Sequence, residues 1–415
     1  MNQAAQNPGQ WQNKLFSTLG YADNALTWAG WRAPTLDADR LIALAQRQTK
    51  LSDFGAINAR EGLARLIDSL NSEANQNTIG RFFYRQLLLV GLRNLLNVQE
   101  TRCRTPAIAQ QTIQRPIIVI GLPRTGSTLL HTLLCQQDNA RYIHLYEGFS
   151  MGEPPTPNSL KTDPRIRRLD RWFYLAQSMF TPKLKVIHPL AATAPEECIV
   201  LLLQTFECPV VYHLGNHIPT YNAWLEQRDL TPIYRHLKFL LQLLQFKFDN
   251  PHWVLKSPGH LRGLDSLLNV FPDACIVHLH RDPLEMLPSW CSFSYFSRAL
   301  TAKNVDPHAI GREWLHHWAH RMETVETVRR RRSAEIIDVA YRELIADPIA
   351  VTQRICQQAG RPITPAAQTR MQQFIAERPQ HKFGKHRYSL AQFGLDRSQI
   401  ESAFVSYLDI YRGLL

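Results

Sequence analysis

No stretch of this 415-residue sequence approaches the ~18 consecutive apolar residues that a membrane-spanning helix needs. Its opening residues, MNQAAQNPGQWQNK, lack the basic segment and apolar core of an export signal. The seven cysteines, at 103, 135, 198, 208, 275, 291 and 356, are scattered, odd in number and without the Cys-x-x-Cys spacing of a zinc or redox motif. These absences predict a soluble cytoplasmic protein in a reducing compartment. Internal repeats and low-complexity tracts are also missing, which excludes solenoids and linker-like chains. With 20% charged residues against 45% hydrophobic ones, disorder is excluded and a full core is expected.

What is present leans basic. Lysine and arginine number 47 against 35 acidic residues, a formal charge of +12, which favours an anionic partner: a nucleotide, a phosphate-bearing acceptor or a membrane surface. The longest basic block, Arg329 to Arg332, follows a helical pattern ending at Val328 and reads as a solvated helix end rather than a nucleic-acid patch.

Residues 1–110 read as an N-terminal helical region, because Leu36, Leu41, Ile42 and Leu44, then Leu63, Leu66, Ile67 and Leu70, recur at three-to-four-residue spacing. From 111 to 415 the pattern changes. Pro-Ile-Ile-Val-Ile at 116–120, Trp-Val-Leu at 253–255, Cys-Ile-Val-His-Leu at 275–279 and Glu-Ile-Ile-Asp-Val-Ala at 335–340 read as buried strands separated by helical patterns. Such alternation predicts an α/β fold, a parallel sheet flanked by helices. The stretch from about 150 to 250, with leucines at 237, 240, 241, 243 and 244, reads as a helical insertion. Its aromatic residues (Trp172, Phe173, Tyr174, Phe180, Phe206, Tyr212, Tyr221, Trp224 and Tyr234) suit an apolar acceptor pocket, although most are expected in the core.

Two motifs carry chemistry. Gly121-Leu-Pro123-Arg124-Thr125-Gly126-Ser127-Thr128 lies between the first strand and a helical segment, where loop and helix N–H groups converge on an anion. Its spacing matches the P-loop, G-x-x-x-x-G-K-[ST], but Ser127 stands where the lysine should be, which argues against NTP hydrolysis. Arg124 places a cation in the loop instead, suited to a shorter anion. In the second motif a strand ends at His280 with Arg281 at its carboxyl end, Asp282-Pro283 has the chemistry of an N-cap followed by proline at the first helical position, and Ser289 lies about two turns into the next helix. Arg281 and Ser289 together could grip a second anionic group.

These residues resemble the sulfotransferases that use 3′-phosphoadenosine-5′-phosphosulfate (PAPS), the broad microbial-type family related to tyrosylprotein and cytosolic sulfotransferases. The resemblance covers about 115–400 and implies a P-loop-like sheet. It implies that Pro123 to Thr128 bind the 5′-phosphosulfate and that Arg281 and Ser289 bind the 3′-phosphate. Trp253-Val-Leu-Lys256-Ser-Pro-Gly-His260 resembles the strand whose lysine contacts the bridging oxygen, and Ala340-Tyr341 to Pro348 resembles the segment near the adenine. Lys382-Phe-Gly-Lys385-His-Arg387-Tyr388-Ser389 and Phe393-Gly394-Leu395 resemble the segment that folds over the nucleotide, and Leu51 to Gly55 is also similar to long members of the family.

Sulfuryl transfer needs an in-line acceptor oxygen, a base for its proton and positive charge on the bridging and equatorial oxygens; no metal is required. Arg124 and Lys256 would supply charge. Four residues compete as the base: Glu147, His260, whose Lys-x-x-x-His spacing departs from the family's Lys-Thr-His, His188, and Glu197 beside Glu196. The predicted function is transfer of a sulfuryl group from PAPS to a hydroxyl of an unidentified, largely apolar small molecule. The alternatives are a P-loop nucleotide kinase or NTPase, disfavoured by the missing lysine, and a non-catalytic basic nucleotide- or nucleic-acid-binding protein, for which no nucleic-acid module is visible. Nucleic acid is therefore not an expected partner; membrane contact and oligomeric state stay open.

Overall fold

The computed structural model describes residues 28, 34–171, 191–332, 335–377 and 389–415. Seven strands occur among them: β1 (Ile117–Gly121), β2 (Ala140–Arg141), β3 (Ile143–His144), β4 (Pro195–Glu196), β5 (His252–Lys256), β6 (Cys275–His280) and β7 (Ile336–Ala340). Five form a parallel sheet in the order β2-β5-β1-β6-β7, while β3 and β4 pair separately and antiparallel. Strands β1, β5 and β6 are buried along their whole length, as β-branched runs in a parallel sheet require. Their side chains alternate between two cores. Ile118, Ile120, Leu255 and Ile276 enter the larger one, and Ile117, Val119, Val254, Val277 and Leu279 the smaller.

Among the described residues the N-terminal part folds into α1 (Ala38–Thr49), α2 (Ala59–Ser72) and α3 (Thr78–Arg104). Side-chain caps fix two of their starts: Asp37 accepts from the Arg40 N–H at 2.8 Å, and Asn77 from the Gly80 N–H at 2.7 Å. Leu41, Leu63, Leu88 and Leu92 share the larger core with Ile118 and Leu255, so these helices and one face of the sheet bury a common apolar surface.

The helices that frame the site are α4 (Ser127–Leu134), α5 (Leu145–Phe149), α6 (Thr231–Gln245), α7 (Pro283–Thr301), α8 (Pro307–Arg331), α9 (Tyr341–Ala346), α10 (Pro348–Gln358) and α11 (Val405–Tyr411). The leucines of α6 lie in the larger core. Helix α7 begins as its sequence predicts: Asp282 Oδ1 accepts from the Leu284 N–H at 2.8 Å and Pro283 takes the first helical position. The arginine block departs from expectation. Arg329 donates twice to Asp338, each bond 2.7 Å, and Arg332 donates to Asp265 at 2.9 Å, so only Arg330 and Arg331 are exposed as at a solvated helix end. No described helix is long and apolar enough to cross a membrane, and all seven cysteines are free.

Candidate active site

The parallel sheet brings the ends of β1, β5, β6 and β7 to one edge, since Val119 lies opposite Lys256, Gly121 opposite Leu279, and His280 opposite Ala340. Ligand sites of open α/β sheets lie at this carboxyl edge. The loop leaving β1 turns through three residues with positive φ: Gly121 at 140°, Arg124 at 64° and Gly126 at 80°. A Cβ on Gly121 would stand 2.5 Å from the Leu279 carbonyl oxygen, and one on Gly126 would stand 3.0 Å from Leu344 and 3.3 Å from Tyr341. Thr125 braces the turn by donating its buried hydroxyl to the Leu122 carbonyl at 2.8 Å. Pro123 is buried behind it, while α4 begins with Ser127, which is partly buried, and Thr128, which is exposed. The N–H groups of the first turn of α4 lack intrahelical acceptors, the feature by which helix starts can take up an anion.

Arg124 holds the left-handed conformation without being glycine, the kind of strain that collects at functional sites. Its Nε donates to Ser289 Oγ at 3.2 Å, and its carbonyl accepts from Arg281 Nη1 at 2.6 Å. The Arg281 guanidinium also lies 4.0 Å over the Tyr341 ring and pairs with Glu285 at 3.0 Å. Residues from the loop, the end of β6, helix α7 and helix α9 thus meet at one point. Sequence reasoning placed Arg124 with Lys256 at the transferred group; the structure turns its side chain toward Ser289. It also missed Glu285, although Arg281 and Glu285 have the i,i+4 spacing of an ion pair. Lys385 and Arg387 lie outside the described residues, as does His188.

A second group forms at the end of β5. Lys256 Nζ donates to Glu197 Oε1 at 2.6 Å, and the Ser257 hydroxyl lies 3.4 Å from Glu197 Oε2. Lys256 is 5% exposed and Glu197 24%. Glu196 folds back onto the Glu197 N–H at 2.9 Å. The other described base candidates sit differently. Glu147 is fully buried, paired with Arg141 through one oxygen and with the His144 N–H at 2.9 Å through the other, so its carboxylate closes the start of α5. His260 is 1% exposed; its Nδ1 contacts the Tyr234 hydroxyl at 2.9 Å, and burial pulls its pKa down to about 3, which leaves a weak proton acceptor. Phe206, Tyr212, Tyr221 and Tyr234 are core residues rather than pocket walls: the tyrosine hydroxyls are committed to Leu203, Phe206 and His260 respectively. Trp172, Phe173, Tyr174 and Phe180 lie outside the described residues.

Comparison with known proteins agrees with the fold. A family model described as the sulfotransferase family matches residues 116–365, from the start of β1 to the start of the helix after α10. An omega-hydroxy-beta-dihydromenaquinone-9 sulfotransferase of Mycobacterium bovis is 25% identical over 302 residues, 67% of this chain and 71% of the relative, and its Mycobacterium tuberculosis counterpart matches equally. The crystal structure of sulfotransferase STF1 from Mycobacterium tuberculosis superposes with a TM-score of 0.81 at 31% identity, covering 90% of this chain and 100% of that one. Sulfotransferase STF9 from Mycobacterium avium gives 0.83 at 28% identity, covering 90% and 96%. The chain belongs to the sulfotransferase family.

Proposed function

We propose that this sulfotransferase uses PAPS as its donor and passes the sulfuryl group to the hydroxyl of a largely apolar small molecule. The observation that carries the reading is the meeting of Arg124, Arg281 and Ser289 beside the Gly126 turn. Two guanidiniums and a hydroxyl at the mouth of an N–H cradle suit a ligand with two separate anionic groups. Ser127 in place of the loop lysine weighs against a nucleoside triphosphate. Backbone groups of residues 123–128 would hold the 5′-phosphosulfate, and Arg281 with Ser289 the 3′-phosphate. Tyr341, already under the Arg281 guanidinium, would border the nucleotide.

When bound, the donor supplies a sulfuryl group on a phosphate leaving oxygen. Lys256 would donate to that oxygen, and Glu197 would take the proton of the acceptor hydroxyl. Exposure favours Glu197 over Glu147 for this role, since Glu197 is 24% exposed and Glu147 is 0% exposed. In the free protein Lys256 and Glu197 neutralise each other at 2.6 Å. Once Lys256 turns its donors to the leaving oxygen, Glu197 Oε1 would be released to meet the acceptor hydroxyl. The relative named for omega-hydroxy-beta-dihydromenaquinone-9 supports an apolar molecule bearing a hydroxyl as the acceptor class.

The test is to incubate the protein with PAPS and a panel of hydroxylated isoprenoids, quinones, phenols and sugars, and to follow sulfated product by mass spectrometry. PAPS-dependent product from an apolar alcohol, lost in Lys256→Met, supports the reading. Product only from sugars contradicts the acceptor class, and turnover with ATP in place of PAPS contradicts the donor.

A further inference from the structure

Behind Arg281 lies a buried polar network. Strand β6 ends in His278-Leu-His280, and β7 places Asp338 opposite His278. The nitrogen and oxygen atoms of His278, His280 and Asp338 lie within 4.8 Å of one another, the arrangement of a metal site. A cation already stands among them. Arg329 of α8 donates to both oxygens of Asp338, and its Nη1 lies 3.1 Å from His278 Nδ1.

The network continues through His280 toward the C-terminus. Its Nε2 lies 2.8 Å from Asp338 Oδ1, and its Nδ1 lies 3.2 Å from the Tyr407 hydroxyl in α11. Burial favours the neutral ring, so Nε2 donates to the carboxylate and Nδ1 accepts from Tyr407. Tyr407 thus anchors His280, the residue that immediately precedes Arg281. One turn further, the Tyr411 ring stacks on His280 at 4.0 Å and its hydroxyl donates to Glu326 at 2.5 Å. Both tyrosines are buried, so α11 is sealed against the end of β6.

The consequence concerns the anion site. The Arg281 side chain is held by Glu285, the Arg124 carbonyl and the Tyr341 face, whereas its Cα follows directly on His280, which the Tyr407 hydroxyl holds at the strand end. A small shift at that Cα is carried to the guanidinium, and misplacement of a binding group by about 1 Å is costly.

We propose that Tyr407 is a positioning residue for the anion site: through its hydroxyl on His280, helix α11 fixes the strand end from which Arg281 leaves and with it the guanidinium that grips the donor's second phosphate. The inference rests on the proposed function, which assigns a 3′-phosphate to Arg281. Tyr407→Phe keeps the ring and removes only the hydroxyl.

Calorimetric titration with 3′,5′-adenosine bisphosphate and with 5′-AMP reads the effect. Tyr407→Phe is expected to weaken bisphosphate binding about threefold to tenfold while leaving 5′-AMP binding unchanged. In an Arg281→Ala background it should add nothing, because the group it positions is gone. Tyr411→Phe, on the same helix, should lower the melting temperature without changing the preference between the two ligands. Equal loss for both ligands, no loss, additivity with Arg281→Ala, or the same loss of preference in Tyr411→Phe would overturn the positioning role. A wild-type protein with no preference for the bisphosphate would sink the donor reading itself, a result distinct from failure of the positioning role alone.

Discussion

Motif reading leaves the carboxylates Glu197 and Glu147 both in contention as the base, and their neighbours differ. Glu147 neutralises buried Arg141 and caps α5; Glu197 meets both Lys256 and solvent. Glu197→Gln is therefore expected to lower kcat about 10²- to 10⁴-fold with little change in melting temperature or in bisphosphate affinity. Glu147→Gln leaves Arg141 buried without its charge partner, so chemical denaturation should show a loss of about 3 kcal/mol or more. Equal activity losses at unchanged stability in both variants would contradict this division. The sequence alone could not divide them, because Arg141 lies six residues before Glu147, a separation that advertises no pairing, and burial is a property of the folded chain. Arg281 and Ser289 were legible for the opposite reason: a strand end, an Asp-Pro cap and a helix set their relation locally.

Elements whose cause is local were the ones that sequence could place. The strand runs of β1, β5, β6 and β7 and the Asp282 cap of α7 follow from β-branched residues and capping chemistry within a few positions. The docking of α11 on β6 was not legible, since His280 and Tyr407 meet across 127 positions of chain. Two substitutions test the element scale. Gly121→Ala forces a Cβ to within 2.5 Å of the Leu279 carbonyl at a φ of 140° and should cost about 1–3 kcal/mol in urea unfolding, with loss of anion binding as the loop shifts. Asp282→Ala removes the cap of α7 and should cost about 1 kcal/mol, with weaker binding of ligands held by Ser289. A Gly121→Ala variant as stable as the wild type would refute the close approach of β1 to β6.

Across the whole molecule, buried imidazoles link stability to pH. Burial lowers the pKa of His131, His236 and His260 from 6.5 to about 3 in each case. The unfolded chain takes up these protons below pH 6.5 while the native rings stay neutral, so stability is full above 6.5 and falls as pH drops toward 3, by up to about 1.4 kcal/mol per ring per pH unit. Melting temperature is expected to fall steadily between pH 6.5 and 4.5 and to be flat from 7 to 8; a flat profile across the acidic range would contradict the burial of these rings. The α/β sheet was legible from the chain, while the packing of α1 to α3 into the same core as the sheet was not, because amphipathic helices do not name their partners. The central claim is that the carboxyl edge of the sheet binds an adenosine nucleotide bearing a 3′-phosphate. It is tested most directly by competition between 3′,5′-adenosine bisphosphate and ATP in one calorimetric titration, repeated with Ser289→Ala. The account predicts that the bisphosphate displaces ATP and that Ser289→Ala weakens the bisphosphate alone; ATP binding more tightly, or a bisphosphate indifferent to Ser289, would contradict it.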